Sequence, residues 1–307
     1  MKRLFTHISI VALLSIVALS ALCGCGSTGR KEANSKPRLY VTIAPLRPLI
    51  QGIVGDDFDV EILVPAGASP ESFEPTPRQF IALNKSQAVF SVGLIDFERN
   101  LVSKIEDQSK VVNLSHGIKL IAGSCSHNHN HNHDHAHTAD CDHQHHAHGV
   151  DPHVWSSPVA LYMMSRNAYK AIAAIYPDSA KYRANFDKLS SRLAVLDFSV
   201  RARCERARSR SFIIYHPALT YLARDYGLEQ ISIEHEGKEP TPRRLASLVD
   251  QARSGGVKVI LNQPQYSPDK LAAIASECGA DVVVIDPLAD DILAEIAKLT
   301  TIICGQN

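Results

Sequence analysis

Between Cys125 and Trp155 the chain reads CSHNHNHNHDHAHTADCDHQHHAHGVDPHVW. Ten of the 15 histidines lie between positions 127 and 148: His127, His129, His131, His133, His135, His137, His143, His145, His146 and His148. His153 follows five residues later. Imidazole is the commonest protein ligand for borderline metals such as zinc, copper and nickel. A tract this polar has nothing to pack and cannot form a core element. The composition therefore points to transition-metal handling, with the tract either the site itself or an accessory to a better-built site nearby. Alternating histidines in a flexible loop are a poor frame for one fixed geometry and suit weak, exchanging contacts. His153, set in DPHVW, has structured flanks and is the better candidate for a fixed ligand.

Three further residues have the chemistry to join it. His216 directly follows the apolar run SFIIY, Asp286 directly follows DVVVI, and Glu71 lies in the loop ASPESFEPTP. Ligands in alternating α/β chains are expected on loops beyond the C-terminal ends of strands. Two histidines and two carboxylates make a nitrogen/oxygen site suited to zinc or manganese. Each also has an ordinary alternative: a histidine beside a proline can cap a turn, Asp286 before Pro287 can be a turn aspartate, and Glu71 can be a solvated loop residue. His235 and Glu239 in EHEGKEPTP are read as surface residues or as supports behind the ligands.

Elements that would position these residues follow from periodicity. Arg38–Ile43, Phe58–Leu63, Ala88–Val92 and Val111–Leu114 read as strands, alternating with helical stretches at Pro45–Val54 and Arg78–Lys85. A helical block follows, with helices over Ala160–Ile175 and Asp178–Arg208, the second striped by Tyr182, Phe186, Leu189, Leu193, Leu196 and Phe198. Alternation then resumes, with strands at 211–215, 230–233, 257–261 and 281–285, and helices at 218–226, 242–254, 269–278 and 292–303. The expected fold is α/β: two lobes, each a mostly parallel sheet flanked by helices, joined by a long rigid helix, with the metal in the inter-lobe cleft. The expected boundaries are an N-terminal lobe over 38–156 that includes the His-rich loop 126–148, a helical connector over 157–210, and a C-terminal lobe over 211–307.

Residues 1–24 read as a signal peptide: Lys2 and Arg3 precede a 15-residue apolar run, Ile8 to Leu22, short for a bilayer span. Leu22-Cys23-Gly24-Cys25 resembles a lipoprotein processing box, which makes Cys25 the expected lipidated residue, with a plain secretory signal as the alternative. Residues 25–37 are a polar tether that would hold the protein at a membrane surface without spanning it. Removing Lys2 and Arg3 leaves 30 basic against 32 acidic residues, so no basic patch points to nucleic acid. Five further cysteines, Cys125, Cys141, Cys204, Cys278 and Cys304, would meet an oxidising compartment. Cys125 and Cys141 could bridge or bind metal, Cys278 and Cys304 could pair, and Cys204 reads as simply buried.

The motifs PLRPLIQGIVGD, GASPESFEPTP, DPHVW with its following serines and proline, YHPALTYLARDYGL, EGKEPTP and VVVIDPLADD occur in that order. Together they resemble the metal-binding lipoproteins that serve ABC importers of zinc and manganese, over nearly the whole chain from Arg38 onward. The resemblance implies two α/β lobes on a rigid helix, metal ligands at His153, His216 and Asp286, and a His-rich loop in the position of 126–148. It also implies a non-enzymatic, extracytoplasmic capture protein whose partner is an ABC-type permease. One departure stands out: the family usually has histidine where this chain has Glu71. Zinc is the expected cargo, with manganese or iron the alternative because a carboxylate makes the site harder. A zinc hydrolase is disfavoured by the lack of HExxH and GxSxG motifs, and a metal-buffering or adhesin-like surface lipoprotein is the remaining rival.

Overall fold

The computed structural model describes residues 36–123, 149–177, 179–234, 240–267 and 269–305. The signal segment, Cys25, most of the tether, the ten clustered histidines, His235 and Glu239 lie outside the described residues. Within them the chain folds as two parallel sheets with helices packed on them. The first sheet contains β1 (Arg38–Val41), β2 (Asp59–Ile62), β3 (Ala88–Ser91) and β4 (Val111–Asn113), in the order β2-β1-β3-β4. The second contains β5 (Ser211–Ile214), β6 (Glu229–Ser232), β7 (Val259–Asn262) and β8 (Asp281–Val284), in the order β6-β5-β7-β8. All six strand pairings are parallel. The architecture expected from the alternating pattern is the one found, with strand and helix ends shifted by a residue or two.

Central strands of such sheets are buried on both faces, so their residues are apolar in succession rather than alternately. Ala88, Val89 and Phe90 of β3 are all fully buried, as are Phe212, Ile213 and Ile214 of β5. Alternate residues serve different layers. Phe212 and Ile214 join a core that runs without interruption from the first sheet into the second, whereas Ile213 and Tyr215 join a separate cluster on the other face. Both sheets share one winding: the chain leaves a central strand to one side, then crosses back to the other. The crevice that opens at such a reversal, beyond the C-terminal strand ends, is where ligands settle in this architecture. In the first sheet it lies between β1 and β3, and in the second between β5 and β7.

The helices are α1 (Arg47–Val54), α2 (Pro77–Lys85), α3 (Asp96–Val102), α4 (Pro158–Ile175), α5 (Ala180–Arg206), α6 (Thr220–Tyr226), α7 (Pro242–Ser254), α8 (Asp269–Cys278) and α9 (Ile292–Cys304). Helix α3 has no counterpart in the sequence expectations. Helix α5 is capped by Ser179, whose hydroxyl accepts from the Tyr182 amide, and runs 27 residues, or about 40 Å at 1.5 Å per residue. It packs on α4 and α1 at one end and on α9 at the other. Its buried stripe is Tyr182, Leu189, Leu193, Leu196, Val200 and Cys204. Phe198, expected in that stripe, is 74% exposed. It sits two residues from Leu196, about 200° around the helix, and so faces away from the core.

This difference is measurable. Leu193→Ala should cost about 2–5 kcal/mol in urea denaturation, because a fully packed side chain leaves a cavity. Phe198→Ala should stay within about 0.5 kcal/mol of the parent, as expected for a surface position.

Candidate metal centre

Glu71, His153 and His216 offer ligand atoms that all lie within 4.8 Å of one another. The Nε2 atoms of His153 and His216 are 3.2 Å apart, and Glu71 Oε1 is 3.0 Å from His216 Nε2. A tetrahedral zinc with bonds of about 2.0–2.1 Å holds neighbouring ligand atoms roughly 3.3 Å apart. These two edges are close to that spacing, and the Glu71–His153 edge is within 4.8 Å, so a small dication fits the cluster. Both histidines are buried and Glu71 is half-buried. The donor set is two imidazoles and one carboxylate, which zinc accepts together with a fourth ligand.

Each side chain is delivered by a local device. His216 stands just beyond β5 at the reversal point of the second sheet. Its backbone is clamped from the end of β7 by Gln263, whose Oε1 accepts from the His216 amide at 3.0 Å while its Nε2 donates to the His216 carbonyl at 2.8 Å. His153 precedes a short 3₁₀ turn, Val154–Ser156. Trp155 in that turn is 2% exposed and donates its indole N–H to the Pro287 carbonyl at 2.9 Å. The Tyr221 hydroxyl of α6 donates to the Asp151 carbonyl at 2.8 Å, fixing the segment from the other side. Glu71 follows Ser69-Pro70 in a turn closed by the Ser72 amide on the Ser69 carbonyl at 3.3 Å. The loop that carries it ends at Thr76, which caps α2 reciprocally with Gln79. Gln79 also donates to the Leu63 carbonyl at 3.0 Å and ties the loop back to the end of β2.

Behind each imidazole stands a buried carboxylate. Asp151 Oδ1 is 2.8 Å from His153 Nδ1 and also accepts from the His153 amide at 2.8 Å. Glu234 Oε2 is 3.2 Å from His216 Nδ1. A carboxylate at Nδ1 fixes the proton there, so that Nε2 is left to face a metal, and it raises the basicity of the ring. Burial opposes ionisation of Asp151, yet its interactions with His153 and the Thr220 side chain hold it below the usual carboxylate range. For His216, burial disfavours the charged ring, but Glu234 and Glu71 outweigh it and raise its pKa to about 9. Tyr266 lies nearly parallel to His216, with ring centroids 6.2 Å apart. Its hydroxyl is pushed up, first by burial and then by the charges of Glu234 and Glu71. Without a metal, a proton on His216 partly neutralises the buried negative charge.

Asp286 does not join this group. Its Oδ1 accepts from the Leu288 amide at 2.9 Å, closing the turn after β8, and its own amide donates to Glu295. The turn reading of this aspartate accounts for its Oδ1 contact. Two supports escaped the sequence expectations. Glu234 sits beside the conspicuous His235 and lies at the end of a run that reads as an ordinary strand. Glu98, fully buried on α3, accepts from the Val92 amide at 2.9 Å and the Gly93 amide at 2.7 Å, and from Thr42. It thereby holds the 92–95 loop, whose Ile95 lines the cavity beside Glu71, His153 and His216. Burial raises the Glu98 pKa, while these donors counter the rise. The cavity, bounded also by Pro70, Gln265, Tyr266 and Leu288, has about 50 Å³ for water-sized occupants.

A sequence model of the zinc-uptake complex component A periplasmic proteins matches residues 39–297. The chain belongs to that family. It is 34% identical over 280 residues to the high-affinity zinc uptake system protein ZnuA of Bacillus subtilis, covering 88% of this chain and 85% of that one. It is 29% identical over 289 residues to the zinc-binding protein AdcA of Streptococcus pyogenes, and there it spans only 56% of the relative's length. Among solved structures, a crystal structure of ZnuA superposes with a TM-score of 0.76 at 28% identity, over 88% of this chain and 99% of that one. A ZnuA deletion mutant with zinc bound superposes with a TM-score of 0.75 at 29% identity, over 88% and 97%.

The His216 pKa sets a pH dependence with a definite sign. Raised from an ordinary 6.5 to about 9, it contributes stability to the metal-free protein that is fully present below about pH 6.5 and is lost as pH rises through about 9. The melting temperature of the chelator-treated protein should therefore fall between those values. Glu234→Gln should flatten that fall, and NMR titration of the His216 ring should show a lower pKa in the variant.

Proposed function

We propose that this chain is the extracytoplasmic solute-binding component of a metal ABC importer, and that it captures one zinc ion between its lobes and delivers it to a membrane permease. The observation that carries the reading is the convergence of Glu71 and His153 from one half of the chain on His216 from the other, with each imidazole backed by its own carboxylate. Family membership supports the same role. The cavity argues against turnover of an organic substrate: about 50 Å³ holds an ion and a water, whereas small-molecule sites are typically ~300–1,000 Å³. Capture rather than catalysis is the function that fits.

In this reading Glu71, His153 and His216 are the ligands and solvent takes the fourth position. Asp286 stays in its turn. Residues 1–24 direct export, Cys25 carries lipid, and 25–37 tether the protein to the membrane surface. The lobes comprise 38–156 and 211–307, with 157–210 as the connector. The His-rich loop 126–148 is an accessory that raises the local metal concentration. Its described flanks support this: Ala122 and Val150 form an antiparallel bridge, so the segment leaves and re-enters the fold three residues from His153. Manganese or iron is the second reading, favoured by the carboxylate at Glu71, which hardens the donor set.

Competition titration against a chelator at pH 7.5 tests the assignment. One zinc should bind per chain, and deletion of 126–148 should leave that affinity nearly unchanged. His153→Ala and His216→Ala should each weaken it by about 100-fold or more, and Glu234→Gln by about 10–100-fold. Asp286→Asn should stay within about tenfold, and Glu71→His should shift preference from manganese toward zinc. Because a proton must leave His216, binding near pH 7 should release about one proton per zinc, and affinity should fall about tenfold per pH unit on acidification below pH 9. Loss of tight binding on deletion of the loop, with both histidine variants intact, would assign the site to the loop instead.

A further inference from the structure

The chain enters its second sheet from the end of α5 and leaves it at the end of α9, and a cysteine stands at each gate. Cys204 lies two residues before Arg206, the end of α5, and Cys304 is the last residue of α9. Their sulfurs are 3.0 Å apart, and the two residues are 1% and 6% exposed. The helices are fixed around them: Arg203, next to Cys204, donates to the Thr300 hydroxyl of α9 at 2.8 Å. Cys278 is half-buried and packs against the separate cluster on the far face of the second sheet. The pairing of Cys278 with Cys304 allowed by the sequence is therefore opposed by the fold, which puts Cys204 at that thiol instead.

We infer that Cys204 and Cys304 form a disulfide that closes the second lobe into a covalent ring and staples its exit to the connecting helix. Bridging needs paired side chains in contact on backbones already held together, and both conditions are met here. The ring would contain His216, Glu234 and Gln263, so the half of the site built on β5 and β7 would keep its frame while the lobes shift. Both cysteines belong to the large core shared by the two sheets, so the staple would also bind the second lobe to the helix that carries the first.

The bond forms by exchange with an external protein or small-molecule disulfide. The Cys304 thiolate attacks one sulfur of that disulfide, giving a mixed disulfide and expelling a thiolate. The Cys204 thiolate then attacks the Cys304 sulfur, closing the bond and expelling the second thiolate. Two thiols are oxidised with loss of two electrons and two protons, and the external disulfide is reduced to two thiols. Cys304 is suited to act first. The hydrogen bond from Cys204 holds its thiol below the ordinary range, against the effect of burial, and Arg203 and Arg210 add to the lowering.

In the cell this step rests on the extracytoplasmic location argued above, but the chemistry is testable on purified protein. Reduced full-length chain is incubated with oxidised glutathione at pH 8, quenched with N-ethylmaleimide and digested without reductant for mass spectrometry. A peptide pair linked through Cys204 and Cys304 is expected. The oxidised form should melt about 10 °C above the dithiothreitol-treated form, since the bond closes a loop of about 100 residues. Cys204→Ser should remove that difference and Cys278→Ser should retain it. Recovery of both cysteines as maleimide or single glutathione adducts, or a link from Cys304 to Cys278, would overturn the inference. Zinc titration of the same samples is independent: absence of zinc binding with the linked pair present would count against the capture reading and leave the staple standing.

Discussion

Everything in the site depends on two imidazole nitrogens facing each other across the lobes at 3.2 Å. Two such nitrogens do not attract unless a proton or a metal ion lies between or beside them. Holding them there in a buried setting requires charge of the opposite sign, and Glu71, Asp151 and Glu234 supply it. Three carboxylates around two neutral rings would be costly to bury alone. The His216 proton reduces that cost in the metal-free protein, and a dication would reduce it further. Proton and metal would therefore compete for one electrostatic vacancy, and the carboxylates that make His216 a strong base also suit its ring to ligation.

The geometry is only as firm as the scaffold that carries it. His216 rides on a parallel strand buried on both faces, and its backbone is gripped by Gln263 from the neighbouring strand. His153 rides on a short turn fixed by Trp155 and Tyr221, both of which reach across to the other half of the chain. The apolar core continues from one sheet to the other along α4, α5 and α9, so the lobes are not two bodies on a bare hinge. Release of a bound ion through a wide opening would have to break that core. A small shift of the Glu71 loop or of the turn before His153 would separate the ligands at far lower cost, because each is held by a few hydrogen bonds rather than by buried area.

The sequence was most legible where local chemistry carried the signal. Strand and helix alternation follows from periodicity, so the two parallel sheets and the long helix were readable, and the capped, turn-rich segment around Glu71 read as a loop. Legibility failed where a residue's role depends on what lies across the fold. Phe198 fits an apolar count along α5, but its angular position puts it in solvent. Asp286 has the right type at the right strand end, and its Oδ1 accepts from the Leu288 amide, outside the cluster of Glu71, His153 and His216. Glu98, on a seven-residue helix with no strong stripe, gave no sign of being the buried acceptor for the 92–95 loop.

By itself the sequence determined the chemistry: imidazole and carboxylate donors, strand ends on which to mount them, and an alternating pattern that could become only a layered α/β fold. Those properties reside in residue type and short-range spacing, which the chain carries without reference to its fold. Tertiary structure alone decided the membership of the site, because crossovers bring strand ends together from segments more than 60 residues apart. It made Glu234 and Gln263 partners of His216, left Asp286 in its turn, and put Cys204 rather than Cys278 against Cys304. The histidine tract announces the metal by composition. His153 meets its partner because two sheets share one core.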